Sequence, residues 1–426
     1  MSINRVVVTG MGVISPNGLG LEQFEESIKN GNSGIEFIQQ LKDLDLACHV
    51  GGIPKLSEED KDKYIPSSLR NKIKASNIEY GIIAALEAWR NAELPINENV
   101  DWDSGVIMGL QTVDGTFAKY IIDKIYSNNL RKLSGRTAEQ AITSSLSAYL
   151  SGYLGLGNCS ISNSAACATG TESIYMGYSK IKNGEAQRIL AGSSEGNNPF
   201  IWSTLDRLRA LNITSNDSPK RASKPMSKDA RGLVPGCGAA ALVLESLESA
   251  LNRGANIYAE IIGGANNCGG QRNGGSMTKP NLEGIRRCIQ SAIDEALIHP
   301  DQIDLISGHL TATYADPSEI KVWSEVLNRN KNEFPYVNSL KSMTGHCLAA
   351  TGSIESVAVV LQLFNSFIHP SINCEDKHPD ILKYVSSDKI PAKFIKKEIT
   401  YVAKANFGFG DLNTCLIFKK WKNEKH

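Results

Sequence analysis

Apolar positions along this chain follow two rhythms, short continuous runs and spacings of three and four. The first run, Arg5 to Thr9, predicts a buried strand that ends at Gly10-Met11-Gly12. Leu21, Phe24 and Ile28 then share one helical face, closed by Asn30-Gly31. Residues 35–70 are loop-rich, with Pro54 and Pro66, and the charged run Glu58 to Lys63 reads as a solvated surface. Ile82, Ile83, Leu86 and Trp89 predict an amphipathic helix. Val106 to Gly109 is a short apolar strand, residues 111–136 a polar excursion with basic Arg131, Lys132 and Arg136, and residues 138–154 a helix. Strand Arg188 to Gly192 leads into a mostly irregular stretch to about residue 235, a turn at 232–238 and a buried strand, Ala239 to Leu244.

The alternation then restarts. Strands are expected at Tyr258 to Gly264, Asp304 to Ser307, Tyr336 to Ser339, Tyr401 to Lys404 and Thr414 to Phe418, and helices at 282–297, 318–329 and 352–366. Strands and helices in this order argue for an α/β class with packed sheets. Each half places a small-residue turn and a helix after an apolar strand. These are Ala166-Cys167-Ala168-Thr169-Gly170 and Ala349-Ala350-Thr351-Gly352, a likeness that suggests internal duplication. No short-period repeat or low-complexity segment occurs.

Composition narrows the class. Lys+Arg and Asp+Glu are both 45 in 426 residues, so no global charge favours nucleic acid or a membrane surface. The nine cysteines are odd in number and form no CxxC pair, which fits a reducing cytoplasm better than a disulfide framework or a zinc knuckle. The N-terminal stretch lacks the basic and apolar regions of a signal peptide, and no run of about 18 apolar residues predicts a membrane span.

The candidate chemistry centres on Cys167. A cysteine between a strand and a helix N-terminus meets unpaired N–H groups and the helix dipole, which are expected to lower its thiol pKa toward neutrality. Small neighbours Ala166, Ala168 and Gly170 leave a substrate room to approach. Taken alone, a free cysteine is more often a small buried hydrophobe. Three further segments lie at predicted strand ends, where open α/β sheets build sites: Ser307 to Thr313 with His309, Lys341 to His346, and the glycine-aromatic loop Asn406 to Asn413. Singly, each histidine reads as a hydrogen-bonded structural residue, Lys341 as a surface charge and Phe407/Phe409 as core. A Cys/His/His metal site would draw its ligands from three distant segments without paired spacing, so no metal is expected.

Together these motifs resemble the β-ketoacyl-acyl-carrier-protein synthases, condensing enzymes of the thiolase-like fold, from about Arg5 to Lys419. The motifs are Val8-Thr9-Gly10-Met11-Gly12, Ala166 to Gly170, His309 to Thr313, Lys341 to His346, and Asn406 to Asp411. The resemblance implies a layered αβαβα arrangement of two duplicated halves, residues 1–250 carrying the nucleophile and residues 251–426 carrying the two histidines. It implies that Cys167 takes an acyl chain from a carrier protein. His309 and His346 would then stabilise the enolate left when a malonyl donor loses CO2. Backbone N–H groups of Cys167 and Phe409 would form an oxyanion hole, with Phe409 also the gate. Lys341 would hold His346 and the local field, Glu319 would organise the lysine region, and Thr311, Thr313, Phe407 and Gly408 would support the site. No cofactor is implied; the substrates ride on the phosphopantetheine of an acyl carrier protein. A cytoplasmic homodimer active in fatty acid elongation is the expected context.

The chain departs from the family pattern in places. Leu310 replaces a glycine after the first histidine, and the segment to Glu319 is one residue short. Asp411-Leu412 replaces the usual glycine and its neighbour, which should stiffen the gate loop and add charge near the mouth. Ser227 and Cys237 stand where acidic residues are common. These changes leave room for a ketosynthase of a specialised polyketide or aryl-polyene pathway. A non-catalytic chain-length partner subunit is a further alternative, disfavoured by the intact cysteine and histidines. A degradative thiolase would need a second cysteine in the 407–413 loop, which has none. Docking of an acidic carrier protein is expected at Arg70, Lys72, Lys74, Lys220, Arg221 and Lys224, each of which could equally be a solvated charge.

Overall fold

A computed structural model of the chain describes residues 4–70, 73–96 and 98–422. Ten strands form the path of one hydrogen-bonded sheet: β1 (Val6–Ser15), β2 (Ser104–Leu110), β3 (Ser160–Ile161), β4 (Arg188–Glu195), β5 (Gly238–Ser246), β6 (Ala259–Cys268), β7 (Leu305–Ser307), β8 (Tyr336–Asn338), β9 (Tyr401–Gly408) and β10 (Leu412–Lys420). Gly18–Leu19 pairs on β1 as an eleventh strand. The spatial order is 8-7-9-10-6-1-5-4-2-3. Read outward from the middle, each half follows the same course, 1-5-4-2-3 and 6-10-9-7-8. The pairings match as well. The first two contacts of each half are antiparallel, β1/β5/β4 and β6/β10/β9, and the outer two are parallel, β4/β2/β3 and β9/β7/β8. The halves meet where Val6–Val8 pairs antiparallel with Ala259–Ile261. The sheets of the two halves are thus joined edge to edge into one continuous ladder.

Five helices build the layers around this sheet: α1 (Ser76–Asn91), α2 (Thr169–Lys182), α3 (Leu282–Ala296), α4 (Asp316–Leu327) and α5 (Thr351–Asn365). Helices α2 and α5 pack on each other and on strands of both halves, so they form the central layer. Helix α1 covers β1, β5 and β4 from outside, and α3, backed by α4, covers β6 and β10. Parallel strands need such crossovers, and both sheet faces become buried. Thirteen of the fifteen residues of α5 are buried. The 18-residue window Leu348–Asn365 is apolar enough on average to cross a membrane, but it includes Glu355 and Gln362 and is 89% enclosed by protein.

Several elements differ from the sequence expectation. Strand β1 does not end at Gly10-Met11-Gly12; it runs on to Ser15. The glycines let α1 lie directly on the strand, since a Cβ at Gly10 would be 2.4 Å from Ala88 O and one at Gly12 2.1 Å from Ala84 O. Helix α1 is buried nearly all round, at eleven of sixteen positions, because loops and helices cover its outer side. The 111–136 excursion contains a helix, Gly115–Tyr126, started by the Asp114 side chain capping Phe117 N–H. The 138–154 segment breaks into Thr137–Gln140 and Ser145–Leu154. Within the stretch read as irregular, Asn198 caps a helix Pro199–Arg207 with proline at its first turn. The glycine-aromatic loop is mostly strand: β9 extends to Gly408 and β10 begins at Leu412, leaving Phe409–Asp411 as the turn.

Candidate active site

The chain leaves β3 and enters a 3₁₀ turn, Ala166–Ala168, that runs directly into α2. Thr169 braces the turn: its Oγ1 accepts from Ala165 N–H at 2.9 Å and donates to Ala166 O at 2.7 Å. Ala166 sits at φ +48°, a cost accepted where the surroundings over-determine the backbone. The end of β9 touches this turn through Gly408, whose Cβ would lie 2.5 Å from Ala165 O, so only glycine fits. That contact brings the Phe409 amide to Cys167 Sγ, where it joins the N–H of Cys167 itself. The second half repeats the device. A 3₁₀ turn, Leu348–Ala350, leads into α5, and Leu348 has φ +46°. Alignment of the two turns puts Ala349 opposite Cys167. The first turns of α2 and α5 cross at glycines: a Cβ on Gly170 would be 2.4 Å from Ser353 N, and one on Gly352 2.4 Å from Thr171 N.

His309 follows β7, and His346 follows the short helix Lys341–Thr344 after β8. The structure brings both to Cys167, with one ligand atom of each of the three residues within 4.8 Å of the others. The rings meet edge to face, 5.5 Å between centroids. His346 Nδ1 accepts from Leu348 N–H at 3.0 Å and lies 3.1 Å from Thr351 Oγ1. His309 Nδ1 lies 3.1 Å from Asn406 Nδ2, an amide nitrogen that can only donate. Both Nδ1 atoms are therefore acceptors, and each neutral ring carries its hydrogen on Nε2. Burial and then the nearby Lys341 charge push His346 down to about 3 and His309 well below the usual histidine value. The rings are uncharged N–H donors at neutral pH. With Nε2 protonated, neither offers a cavity-facing lone pair to a metal.

The thiol departs from expectation. Burial pushes Cys167 up to about 11, although Lys341 and the Phe409 and Cys167 amides pull the other way. Glu195, at the end of β4, adds to the upward pull; burial holds its own carboxyl near 8. The helix N-terminus is present, but desolvation outweighs it. At rest the site holds a thiol beside two neutral imidazoles, with no thiolate–imidazolium pair.

Behind the rings lies a buried charge cluster. Lys341 Nζ binds Glu355 Oε1 at 2.6 Å and Lys404 Nζ binds Oε2 at 2.7 Å. Burial pushes Glu355 up, but the two lysines hold its carboxyl below the usual range. Sequence reasoning missed Glu355 and Lys404. Glu319 does not organise this lysine region through hydrogen bonds. Its oxygens accept from the backbone N–H of His309 at 2.7 Å and of Leu310 at 2.8 Å, and from Trp323 Nε1 at 3.4 Å. One turn earlier on α4, Asp316, also missed, accepts from Thr311 and Ala312 N–H and from Met226 N–H. The two carboxyl groups thus shape the His309 loop, which places Leu310 at φ +28° and Ala312 at φ +63°. Thr311 and Thr313 pair through their hydroxyls at 2.9 Å, both partly open.

Phe407 is buried with its ring 6.0 Å from that of His309, and Phe409 is half-buried at the turn. Asp411 fastens this turn: its carboxylate accepts from Gln271 N–H and Asn281 N–H, both at 2.9 Å. At 1% exposure the carboxylate is turned inward onto these amides, and this anchoring is the expected stiffening of the gate loop. Ser227 and Cys237 are buried, and their side chains donate to Asp376 O and Gly52 O.

The five basic candidates among the described residues do not form one free face. Arg70 is tied to Glu58 and Asp62, and Lys74 lies 4.8 Å over the Tyr120 ring. Lys72 lies outside the described residues. Lys220 and Arg221 are exposed, Arg221 paired with Glu375 at 3.2 Å. Lys224 and Arg221 line a cleft of about 320 Å³ with Asp229, Glu375 and Asp376. That cleft is of mixed charge, since acidic side chains line it beside the basic ones.

This geometry finds its counterpart in known proteins. Residues 3–250 match the family described as beta-ketoacyl synthase, N-terminal domain, and residues 258–375 its C-terminal domain. The chain belongs to the β-ketoacyl synthase family. It is 33% identical to 3-oxoacyl-[acyl-carrier-protein] synthase 2 of Vibrio cholerae serotype O1, over 99% of this chain and 100% of that protein. It is 32% identical to the chloroplastic 3-oxoacyl-[acyl-carrier-protein] synthase I of Arabidopsis thaliana, over 98% and 87%. Among solved structures, a beta-ketoacyl synthase from Burkholderia phymatum STM815 superposes with TM-score 0.88 at 26% identity, covering 98% of this chain and 100% of that one. The AntDE ketosynthase, solved bound to the hexaketide and in complex with its type II polyketide acyl-carrier protein AntF, gives 0.86 at 28% identity over 99% and 100%. The layered α/β fold with two like halves is the thiolase-like one the resemblance implies.

Proposed function

We propose that this chain is a 3-oxoacyl-[acyl-carrier-protein] synthase, an acyltransferase that joins a Cys167-bound acyl chain to a malonyl unit with loss of CO2, in fatty acid elongation. In the first step the Cys167 sulfur displaces the carrier thiol from an acyl thioester. The S–H proton ends on the departing pantetheine sulfur, which suits a nucleophile that rests as the thiol. In the second step the malonyl C–C bond breaks and its electron pair moves onto the thioester carbonyl. The enolate oxygen accepts hydrogen bonds from Nε2–H of His309 and His346. The enolate carbon then attacks the acyl carbonyl, whose oxyanion the Cys167 and Phe409 amides hold. Collapse expels the Cys167 sulfur as a thiolate, which takes up one proton from water.

One observation carries this reading: two neutral rings present N–H donors at a sulfur, which suits an enolate and an acyl thioester in one cavity. Lys341 and Glu355 keep the field behind the rings, Glu319 shapes the His309 loop, and Thr311 and Thr313, paired through their hydroxyls, support the site. No metal or cofactor takes part. The repeated strand order supports a division into residues 1–250, with the nucleophile, and 251–426, with the histidines. Acyl carrier protein is the partner, in keeping with the names of the relatives and the AntDE complex. The exposed Ile122, Ile125 and Tyr126 of the 115–126 helix support a homodimer, and nine free cysteines a cytoplasmic setting. A second reading keeps the chemistry but serves a specialised polyketide, in line with the AntDE likeness. Incubation with acyl- and malonyl-carrier protein of both kinds should give a 3-oxoacyl product by mass spectrometry, and the acyl chain preferred separates the two readings. No product with any pair would overturn both.

A further inference from the structure

Strand β9 carries a lysine and an asparagine two residues apart, hence on one face. Both are fully buried and lie beneath His309. Lys404 Nζ donates to Asn406 Oδ1 at 2.7 Å, to Ala405 O at 2.8 Å and to Glu355 Oε2 at 2.7 Å. Thr171 Oγ1, from the first turn of α2, donates to the same Asn406 oxygen at 2.5 Å. An ammonium has no acceptor, so the oxygen end of the amide is fixed on Lys404. The nitrogen end then faces His309 Nδ1 and Glu355 Oε2, each at 3.1 Å. An amide NH₂ only donates, so His309 Nδ1 must accept and the ring hydrogen must sit on Nε2.

We propose that Asn406, oriented by Lys404 and Thr171, is a positioning residue that selects the Nε2–H tautomer of His309 and so makes that ring a donor to the substrate oxygen. The proposal rests on the condensing reading of the site. The two histidines reach one tautomer by different means. His346 is set by a backbone N–H, that of Leu348, which no side-chain change removes. His309 is set by a side chain alone and can be switched. Asn406→Asp is the switching variant. Its carboxylate keeps the acceptors for Lys404 and Thr171; the edge that donated to Glu355 Oε2 becomes an acceptor as well, and the Lys341 and Lys404 charges offset the two carboxylates. It puts an acceptor where His309 met a donor. The ring hydrogen then moves to Nδ1, and Nε2 turns a lone pair toward the cavity.

The test reads tautomer and chemistry separately. In ¹⁵N-histidine NMR, with His309→Gln to assign the ring, wild type should show protonated Nε2 and Asn406→Asp protonated Nδ1. Decarboxylation of malonyl-carrier protein should fall about 10²–10³-fold in the variant, the effect of losing one oxyanion donor. Acylation of Cys167, by intact mass, should change by less than about threefold. A His309 that keeps Nε2–H in the variant, or acylation that falls in step with decarboxylation, would overturn the proposal. Should Asn406→Asp fail to fold, Lys404→Met frees the amide to turn, and a second His309 tautomer is expected; a wild-type spectrum there overturns it. Wild-type enzyme that releases no CO2 would instead overturn the condensing reading, whatever the spectra show.

Discussion

Replacing Glu355 by glutamine would strip two buried lysines of their shared carboxylate. Both carboxylate oxygens are occupied, at 2.6 Å by Lys341 and 2.7 Å by Lys404, and none of the three side chains is more than 2% exposed. At an effective dielectric of about 20, each contact carries roughly 6 kcal/mol of gross attraction, much of it offset by desolvation. Removing one partner of a buried pair costs about 3–5 kcal/mol, because the other charge stays behind. A stranded lysine can limit that cost by losing its proton, which from a free pKa of about 10.4 takes about 4.6 kcal/mol at pH 7. Each figure is for one uncompensated charge; the glutamine oxygen still accepts from one lysine, so the loss for Glu355→Gln is set by the other, at about 4 kcal/mol. Lys404→Met in that background removes one stranded charge, so the double variant should regain about 2 kcal/mol. Guanidinium unfolding at pH 7, followed by tryptophan fluorescence, measures all three proteins. The reasoning fails if Glu355→Gln stays within about 0.5 kcal/mol of wild type, the range of an ordinary surface change. It also fails if Lys404→Met deepens the loss.

Three further outcomes are expected. His346 gains a proton only near pH 3, and burial with the nearby Lys341 charge also holds His309 well below the usual histidine range, so decarboxylation of a small malonyl thioester should be flat from roughly pH 5 to pH 8; a limb near 6.5 would mean a ring titrates there. With its thiol at about 11, Cys167 should be alkylated by iodoacetamide at a rate rising about tenfold per pH unit between roughly pH 7 and pH 10. A plateau below pH 8 would restore the low-pKa thiolate. Lys220→Glu with Lys224→Glu should raise KM for carrier-borne substrates about tenfold and spare small thioesters; unchanged kinetics would take these residues out of docking.

The reacting groups could be read from the sequence because each sits at a strand end in a short motif. Their support could not, because it comes from residues that look ordinary in isolation. Helix α5 has a single charged residue, Glu355, and β9 a single one, Lys404. Opposite lone charges in two apolar elements are a pairing signal, since neither stays buried unpaired. Gly10 and Gly12 look like a turn in one dimension and prove to be the contact of a helix with a strand. The thiol was the clearest reversal. The helix N-terminus beside Cys167 is legible in the sequence, but the burial that outweighs it depends on segments remote in the chain, with His309 and His346 folded against the sulfur. The same holds for Glu319, which the family resemblance tied to the lysine region and whose oxygens accept from the backbone of the His309 loop instead.

The central claim, that His309 and His346 act on the malonyl donor and Cys167 on the acyl donor, is met most directly by one reaction followed two ways. With acyl- and [¹⁴C]malonyl-carrier protein, intact mass reports acyl-Cys167 and trapped label reports CO2. His309→Ala and His346→Ala should each keep the acyl-enzyme while CO2 release falls at least about 10²-fold. Release at the wild-type rate from either variant would contradict the claim.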